Sequence, residues 1–576
     1  MLRALKHLFV FEALRASARN RRLVVTGESM RKLALLALAF AAPLLARDYN
    51  TAPSLANPAG MTVVSVSSVG ALQSAVSNIQ NNQMIELADG TYSLTQSLFF
   101  NSAATSTRTN IGIRSASRNP AACIIQGAGM SGGIPHGIHV SRTSGMLIAD
   151  LTIRLVANHA IQIAGETTVS NVQMYNLRLI DTGEQFIKGS TSGYQGGSDS
   201  GLVEYCLMSY TTQGTTYTNG VDIHGGDGWI IRHNRFERVN VIPGGIGPAV
   251  LMWNGSSNTI CEANTFINCE TAIAFGLSDR AAPQTDHSGG VIRNNFIYRA
   301  PGTPSGVDSP DCSILVWDSP NTKVLNNTVI QSGTYANAIE YRFSTTGAEI
   351  RFNLCDGAIF DRGGGTGANT VAGNVINAQS GWFTAAASGN LRLSAGAPAS
   401  VVDAAATHAS VTSDYDGYAR PAGAAPDIGG SERGGAAAAP PSAPANLIAV
   451  ANQSLGIDLT WTDASTNEDG FRVERSVAGG AFSARVSLPA GSASYADTGL
   501  IEGTQYNYRV IAFNTAGDSA PGNSAGTTAS QSPASGSSGG SSGGSGGCSA
   551  TFGGSGLLAM ASLLFFTLTL KRRKLS

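Results

Sequence analysis

A six-residue pattern recurs through the middle of this chain: a hydrophobic residue, two variable positions, Asn, one more variable position and a second hydrophobic residue. The Asn positions, 21 to 32 residues apart, are Asn234, Asn264, Asn295, Asn327, Asn353 and Asn374. Repetition at this scale is typical of a solenoid. The residues three before and two after the Asn are both apolar. On a straight strand, side chains five positions apart point to opposite faces, so two such residues that both point inward predict a bend at the Asn. We expect a β-helix of parallel coils in which the inward Asn side chains stack.

The same frame continues toward the N-terminus with other residues in the Asn position. Leu151, Leu177 and Cys206 stand there, each with apolar residues three before and two after. Only 13% of the residues are charged and 69 are Gly, which suits a turn-rich all-β solenoid better than a helical protein. The net charge is −1 and the sequence pI is about 6.7, so no nucleic-acid partner is expected.

An apolar segment near the N-terminus predicts export. A basic start at residues 30–32 precedes the apolar run 33–45 and the small residue Ala46, which is the pattern of a secretory signal peptide at 30–46. Residues 1–29 are then either an extension from an upstream start codon or a long basic beginning of the signal itself.

The other end of the chain has a segment long enough to span a bilayer. A Gly/Ser linker at 531–549 leads into the 21-residue apolar stretch 550–570, and a basic cluster at 571–574 follows. The segment 550–576 resembles the Gly-Gly type C-terminal sorting signals of bacterial surface proteins. That resemblance implies cleavage near 546–548 by a sorting protease and transfer to a surface anchor. The alternative is a plain membrane anchor, and in both cases the bulk of the protein faces outward.

The ends of the repeat region resemble those of a known fold family. Residues 69–79 have apolar side chains at helical spacing and predict a short helix that caps the first coil. An Asp-Gly-Thr-Tyr turn at 89–92 follows, and the stretch 414–429 closes the region. These features resemble right-handed parallel β-helix proteins of the polysaccharide lyase type, over about residues 60–432. The resemblance implies such a solenoid, assigned to 47–433, whereas no complete catalytic motif of those lyases is present.

A second, smaller domain follows an Ala/Pro/Gly-rich linker at 434–444. Residues 445–530 resemble a fibronectin type III module, with Trp461 as the core Trp and Tyr506 at the place of the tyrosine corner. The resemblance implies a small β-sandwich that acts as a spacer or a weak binding unit, and we favour the spacer.

A further strand recurs in each coil, and its alternate residues form two outward rows when the apolar residues point inward. The first row consists of Gln162, Asp222, Leu251, Ala274, Leu315 and Glu340, with Lys188 expected beside Asp222. The second row consists of His224, Trp253, Gly276, Trp317 and Arg342.

The aromatic members of the second row suggest a carbohydrate-binding groove. Trp253 and Trp317 are two coils apart, so their rings lie about 10 Å from each other. Outward Trp rings beside polar side chains tend to mark binding sites, and they suit the apolar faces of sugars. The alternative is that loops cover both rings and make them part of the core.

Spacing and side-chain chemistry favour elimination over hydrolysis. Asp222 and Glu340 are four coils, or about 19 Å, apart, which is too far for the carboxylate pair of a glycosidase. Asp222 with Asp227, across one turn, is close enough in sequence to stay open as such a pair. A lyase instead needs a base that removes the proton next to a uronate carboxylate and a cation that neutralises that carboxylate. His224 is a plausible base, although a turn residue that bonds a backbone carbonyl is an equal interpretation.

We therefore expect two sets of functional residues. The candidate catalytic residues are Lys188, Asp222, His224 and Arg342; the candidate substrate-binding residues are Trp253, Trp317, Gln162, Glu340 and His287. Asp222 is expected to orient its neighbours or to hold Ca²⁺, and Asp308 with Asp311 is a weaker Ca²⁺ candidate. No zinc pattern is present.

These residues lead to two hypotheses. The first is an exported, surface-anchored enzyme that cleaves or epimerises an acidic polysaccharide by β-elimination chemistry. The second is a non-catalytic adhesin or glycan-binding protein on the same scaffold.

The seven Cys are an odd number, and Cys206, Cys261 and Cys355 are expected to be buried thiols because they fall on inward positions.

Overall fold

A computed structural model describes residues 49–528, with gaps at 51, 59, 102–105, 213–216, 241–246, 304–311, 364–367, 435–439, 453–454, 466, 469, 478, 481, 515–516 and 523–524. The predicted signal peptide, the C-terminal apolar segment, Cys548, Asp308 and Asp311 lie outside the described residues. Within the part of the chain that is described, no helix is long and apolar enough to cross a membrane.

Three long parallel sheets form the body of the protein, and each coil adds one strand to each sheet. We number the sheets in the order in which the chain visits them within a coil. Sheet 1 contains Thr62–Val66, Gln83–Leu87, Arg108–Ser115, Thr143–Ala149, Ser170–Tyr175, Leu202–Glu204, Ile230–Arg232, Ile260–Glu262, Val291–Arg293, Lys323–Leu325, Glu349–Arg351 and Thr370–Ala372. Sheet 2 contains Gly90–Ser93, Cys123–Gln126, Thr152–Arg154, Arg178–Ile180, Leu207–Ser209, Arg235–Glu237, Thr265–Ile267, Phe296–Tyr298, Thr328–Ile330 and Leu354–Cys355. Sheet 3 contains Leu98–Phe100, His136–Val140, His159–Ala164, Ile187–Ser190, Val221–His224, Pro248–Trp253, Thr271–Phe275, Cys312–Trp317, Asn337–Arg342 and Ala358–Asp361.

The chain therefore folds into a parallel β-helix solenoid, as the sequence predicts. The Asn positions lie at the turn between sheet 1 and sheet 2, where the bend was expected. The residue just before the Asn position makes the bend by adopting positive φ; in successive coils these are Asp150, Asn176, Tyr205, His233, Ala263, Asn294, Asn326, Phe352 and Gly373. One left-handed residue per coil turns the strand and lets the side chains on both sides of the bend point inward.

The stacked Asn side chains form a continuous hydrogen-bonded ladder inside the solenoid. The Nδ2 of Asn264 donates to the Oδ1 of Asn295 at 3.0 Å and to the backbone oxygen of Ile231 at 2.8 Å. The same Oδ1 of Asn295 accepts the backbone N–H of Asn264 at 3.0 Å. Equivalent bonds join the other members from Asn234 to Asn374. Each Asn thus satisfies backbone groups that leave the sheets at the turn.

The interior between the sheets is apolar and contains the inward residues of every coil. Phe236 and Phe266 stack at 4.7 Å between ring centroids, one coil apart. The six described Cys are buried free thiols, which confirms the expectation for Cys206, Cys261 and Cys355.

A short helix lies at the first coil, and short irregular elements lie within and after the coils. The helix Val69–Ser77 begins after Ser68, whose hydroxyl accepts the N–H of Ala71, and it buries Leu72 and Val76. Its position in the first coil matches the predicted cap. The 3-10 turn Gly165–Thr167 and the parallel pair Ser256–Ser257 with His287–Ser288 lie within the coils, between strands of sheet 3 and the next strands of sheet 1. The 3-10 turns Ser380–Trp382 and Ala386–Ser388 and the antiparallel pair Phe383–Ala385 with Asn390–Leu393 follow the last strand of sheet 1 in the chain.

The fibronectin-like region forms two antiparallel sheets. One contains Ala445–Asn452, Gly456–Thr462 and Ser494–Asp497; the other contains Ser483–Pro489, Gly470–Val477, Gln505–Asn514, Gly517–Asp518 and Ala525–Thr528. Trp461 is buried in their shared core. The hydroxyl of Tyr506 accepts the backbone N–H of Ile501 at 3.0 Å, which is the contact expected of the tyrosine corner.

Candidate functional site

The outward face of sheet 3 contains the residues selected from the sequence, in the predicted rows. Strand pairing aligns Phe99, His139, Gln162, Lys188, Asp222, Leu251, Ala274, Leu315, Glu340 and Phe360 in the first row. Lys188 pairs with Gln162 on one side and with Asp222 on the other, where it was expected. In the second row His224 pairs with Trp253 and Trp317 with Arg342.

Gly276, between the two Trp residues of the second row, permits a close approach of neighbouring backbones. It has a φ of +77°, and a Cβ there would lie 1.8 Å from the backbone oxygen of Trp317. Any other residue would clash, so this interruption of the row is required by packing.

Asp222 is the centre of the polar cluster. Its carboxylate is fully buried, and Lys188 Nζ lies 2.6 Å from Oδ2. Trp253 Nε1 donates to Oδ1 at 3.0 Å, and Gln185 Nε2 reaches Oδ2 at 3.4 Å. Because Lys188 bonds one carboxylate oxygen and Trp253 the other, Asp222 orients both the Lys188 ammonium and the Trp253 ring.

His224 completes the cluster at the surface. Its Nε2 lies 2.7 Å from Lys188 Nζ and 3.5 Å from Asp222 Oδ1, and its ring meets Trp253 edge-on at 4.7 Å between centroids. Burial lowers the pKa of His224, the Asp222 carboxylate opposes that shift, and the Lys188 ammonium adds to it. An ammonium only donates hydrogen bonds, so Nε2 accepts and the proton of the neutral ring resides on Nδ1.

Two loops border this cluster where the strands of sheet 3 end. The hydroxyl of Tyr194 donates to the backbone oxygen of Thr285 at 2.8 Å, and Asn254 Nδ2 donates to the oxygen of Gly193 at 2.7 Å. In the second loop Arg280 pairs with the buried Asp286 at 2.7 Å. The arrangement gives the cluster a wall on one side and leaves Lys188 and His224 partly exposed, at 16% and 22% of their side chains.

The other half of the face is covered. Leu251, Ala274 and Leu315 of the first row are fully buried and pack with Trp317, which is only 6% exposed. The interpretation of Trp317 as an open sugar platform is therefore wrong for this structure, and the alternative of a covered ring applies to it. Trp253, at the border of the covered half, stays partly exposed.

Glu340 and Arg342 are remote from the Asp222 cluster. Glu340 is fully buried, accepts the Trp317 Nε1 proton at 3.0 Å and pairs with Arg362 at 3.1 Å. The Arg342 guanidinium lies over the rings of Trp317 and Phe343. Both residues are four coils, or about 19 Å, along their rows from Asp222 and His224, so they do not contact a sugar unit that is held there.

His287 lies inside the protein and does not line the groove. Its side chain is fully buried, with Nδ1 at 2.9 Å from the Ser319 hydroxyl and Nε2 at 3.2 Å from that of Thr259. Burial lowers the pKa of His287 to about 3. Its neighbours supply both ring hydrogen bonds, which points to a structural role, and the expected contact with substrate is not made here.

Gln162 lies in the outward row, as predicted, but several of its neighbours were not predicted. Gln162 is 8% exposed and donates to the Ser190 hydroxyl at 3.0 Å. Gln185 and Arg280 were missed because they lie in turns outside the regular strands. His139 was missed because the Asn pattern does not extend to its coil, although its polarity in an alternating strand was a usable signal.

No group of three or more His, Cys, Asp or Glu among the described residues is placed to hold a metal ion. Lys188, Gln185 and Trp253 take up the carboxylate oxygens of Asp222 instead.

The described chain is thus an all-β protein made of a parallel β-helix, with a buried-carboxylate cluster on one face, and a small β-sandwich. Residues 442–528 match the model of the fibronectin type III domain family. No curated protein matches the chain.

Several solved structures are similar to a small part of the chain. "Titin kinase and its flanking domains" is 24% identical over 16% of this chain and 18% of that chain, with a TM-score of 0.15. "The crystal structure of a Fn3-like protein from Clostridium thermocellum" is 27% identical over 16% of this chain and 97% of that chain, also with a TM-score of 0.15. A β-1,2-glucanase from Parabacteroides distasonis is 20% identical over 17% of this chain and 14% of that chain, again with a TM-score of 0.15.

Proposed function

We propose that this protein is exported, is held at the cell surface by its C-terminal segment, and binds and cleaves or epimerises an acidic polysaccharide by β-elimination chemistry. The observation that carries the proposal is the position of Lys188 Nζ, which lies 2.6 Å from Asp222 and 2.7 Å from His224. A cation and a neutral imidazole thus lie side by side at the surface, on an elongated face.

The Lys188 ammonium is held by Asp222 and still has an N–H that can bond a substrate. Asp222 receives one of the three ammonium protons of Lys188, and another can bond a uronate carboxylate above the sheet. Neutralising that carboxylate stabilises negative charge that develops on the adjacent carbon, C5 of the sugar. Asp222 does not reach the surface, so it acts as a positioning residue for Lys188 and Trp253.

His224 supplies the base. Its lowered pKa keeps the ring neutral at pH 7, and Nε2 becomes free to accept a proton when the substrate carboxylate takes over the Lys188 N–H that Nε2 accepts, while Asp222 keeps its own bond to the ammonium. The imidazole takes the C5 proton, the C–H electron pair forms the C4–C5 double bond, and the C4–O4 bond breaks. The leaving O4 takes a proton from the imidazolium or from water, so charge and atoms balance. Return of a proton to the opposite face of C5, without loss of O4, gives the epimer.

The test is incubation of the full-length chain, in detergent, with polygalacturonate, alginate, chondroitin sulfate and hyaluronan. Ultraviolet absorbance detects the unsaturated product, and proton exchange from heavy water detects C5–H cleavage without elimination. We expect one polymer to react, and we expect His224→Gln and Lys188→Met to lower its rate by about 10²-fold or more. Lys323→Met, a Lys substitution on sheet 1, is the matched control and should leave the rate unchanged.

Two outcomes contradict the elimination proposal. Retention of a polymer on the immobilised protein with neither unsaturated product nor exchange favours the adhesin hypothesis. Loss of retention in Lys188→Met would then still place the binding site at the cluster. If no acidic polymer is retained or altered, the polysaccharide assignment itself is wrong.

A further inference from the structure

Four rings lie together at the start of the first row, outside the Asp222 cluster. Phe99 and His139 are neighbours in the row, with ring centroids 5.2 Å apart. His136 and His159 are also paired across adjacent strands and stack at 5.0 Å with an angle of 12°. His136 lies 5.8 Å from His139, so the four rings are contiguous.

This group is connected to the proposed site by the row itself. His139 pairs with Gln162, Gln162 with Lys188, and Lys188 with Asp222. Three coil steps separate His139 from Asp222, about 14 Å, and Phe99 is one step further. An extended sugar chain that follows the row would place about one unit over each coil.

All four residues keep some exposed surface, although the Nδ1 edges of the three imidazoles do not. Phe99 is 42% exposed. His159 Nε2 contacts Glu184 at 3.2 Å, whereas the Nδ1 atoms of His136, His139 and His159 are buried without a hydrogen-bond partner among the described residues. An unmet imidazole hydrogen bond costs free energy, and reorientation of the ring toward a hydroxyl would recover it.

We propose that Phe99, His136, His139 and His159 form a second sugar subsite, in which Phe99 stacks on a pyranose ring and the imidazoles bond its hydroxyls. The inference rests on the proposed function, since it needs a polysaccharide held at Lys188. Burial lowers the pKa of His136 to about 4 and also lowers the pKa of His139. Neutral imidazoles both donate and accept, so they suit hydroxyls better than carboxylates.

The experiment measures binding of galacturonate, mannuronate, chondroitin and hyaluronan oligomers of two, four and six sugars to the full-length protein by calorimetry. We expect the hexamer of the series that binds to be at least tenfold tighter than the dimer. Phe99→Ala should weaken hexamer binding by about tenfold and leave the dimer unchanged, because aromatic stacking supplies roughly that factor. His139→Gln, which keeps a polar side chain, is the second variant and should weaken the hexamer only.

Phe360→Ala is the matched control. Phe360 lies in the same row at the opposite end, is 45% exposed, and is separated from Lys188 by the covered half of the face. It should not change the affinity for any length. If affinity is independent of length, or if Phe99→Ala and Phe360→Ala behave alike, the subsite is wrong while the proposed site stands. If none of these series binds the unaltered protein, both proposals fail.

Discussion

Replacing Asn295 by Ala should reveal how much the internal ladder contributes to the stability of the solenoid. The Asn295 side chain donates to the oxygen of Cys261 and to Asn327 Oδ1, both at 2.9 Å. Its own Oδ1 accepts two hydrogen bonds from Asn264, both at 3.0 Å. Ala removes all four bonds in a region with no exposed surface.

Each of these bonds contributes about 1 kcal/mol net, so Asn295→Ala should lower the free energy of unfolding by about 4 kcal/mol. The last member of the ladder provides a graded comparison. Asn374 makes three such bonds and is partly exposed, so water can replace some of them. Asn374→Ala should therefore cost only about 1–2 kcal/mol.

The measurement is urea-induced unfolding of the full-length chain, followed by far-ultraviolet circular dichroism. Asn377→Ala, an exposed substitution just beyond the ladder, is the control and should change the free energy of unfolding by less than about 0.5 kcal/mol. If Asn295→Ala unfolds at the same urea concentration as Asn377→Ala, the ladder does not stabilise the coils and the argument is refuted.

Three further predictions concern single contacts. His287 has a folded-state pKa near 3, below its ordinary value near 6.5, so the unfolded chain binds more protons between these values. The contribution of neutral His287 to the free energy of unfolding is fully present above pH 6.5, and it falls by up to about 1.4 kcal/mol per pH unit below that pH. His287→Gln should therefore reduce the difference in unfolding free energy between pH 7 and pH 5, measured by urea titration. Tyr506→Phe removes the bond to Ile501 and should lower the stability of the sandwich by about 1 kcal/mol in the same assay, and no change would exclude the tyrosine-corner contribution. Arg420→Met should cost about 3–5 kcal/mol because it leaves the Glu432 carboxylate buried without its ion pair, and adding Glu432→Gln should recover part of the loss.

The sequence predicted the coils and their register well because one residue type marks one turn of the solenoid. Asn234 and its successors showed where sheet 1 passes into sheet 2, and the apolar residues on either side gave the inward direction. With period-two alternation, this was enough to place Asp222 and His224 on an outward face.

Coverage of that face could not be obtained from alternation alone. Leu251, Ala274 and Leu315 are apolar although they stand in an outward row, and this was the available signal that the face is covered there. Trp317 is buried in the same cluster. The burial of Glu340 depends on Arg362 in the following coil, a contact between side chains that strand periodicity does not predict.

The two halves of the first row provide an internal comparison that bears on function. The covered half has Leu251, Ala274 and Leu315 at positions equivalent to Lys188 and Asp222, so apolar residues are compatible with this place in the fold. Replacing a buried ion pair by apolar residues of similar volume is often neutral or stabilising. We therefore expect that folding does not require the Lys188–Asp222 pair. The variant with Lys188→Met and Asp222→Leu should unfold at a urea concentration equal to or above that of the unaltered chain while losing polysaccharide retention. A fall of several kcal/mol in stability would instead make the pair a structural element and remove the main support for a site at this position.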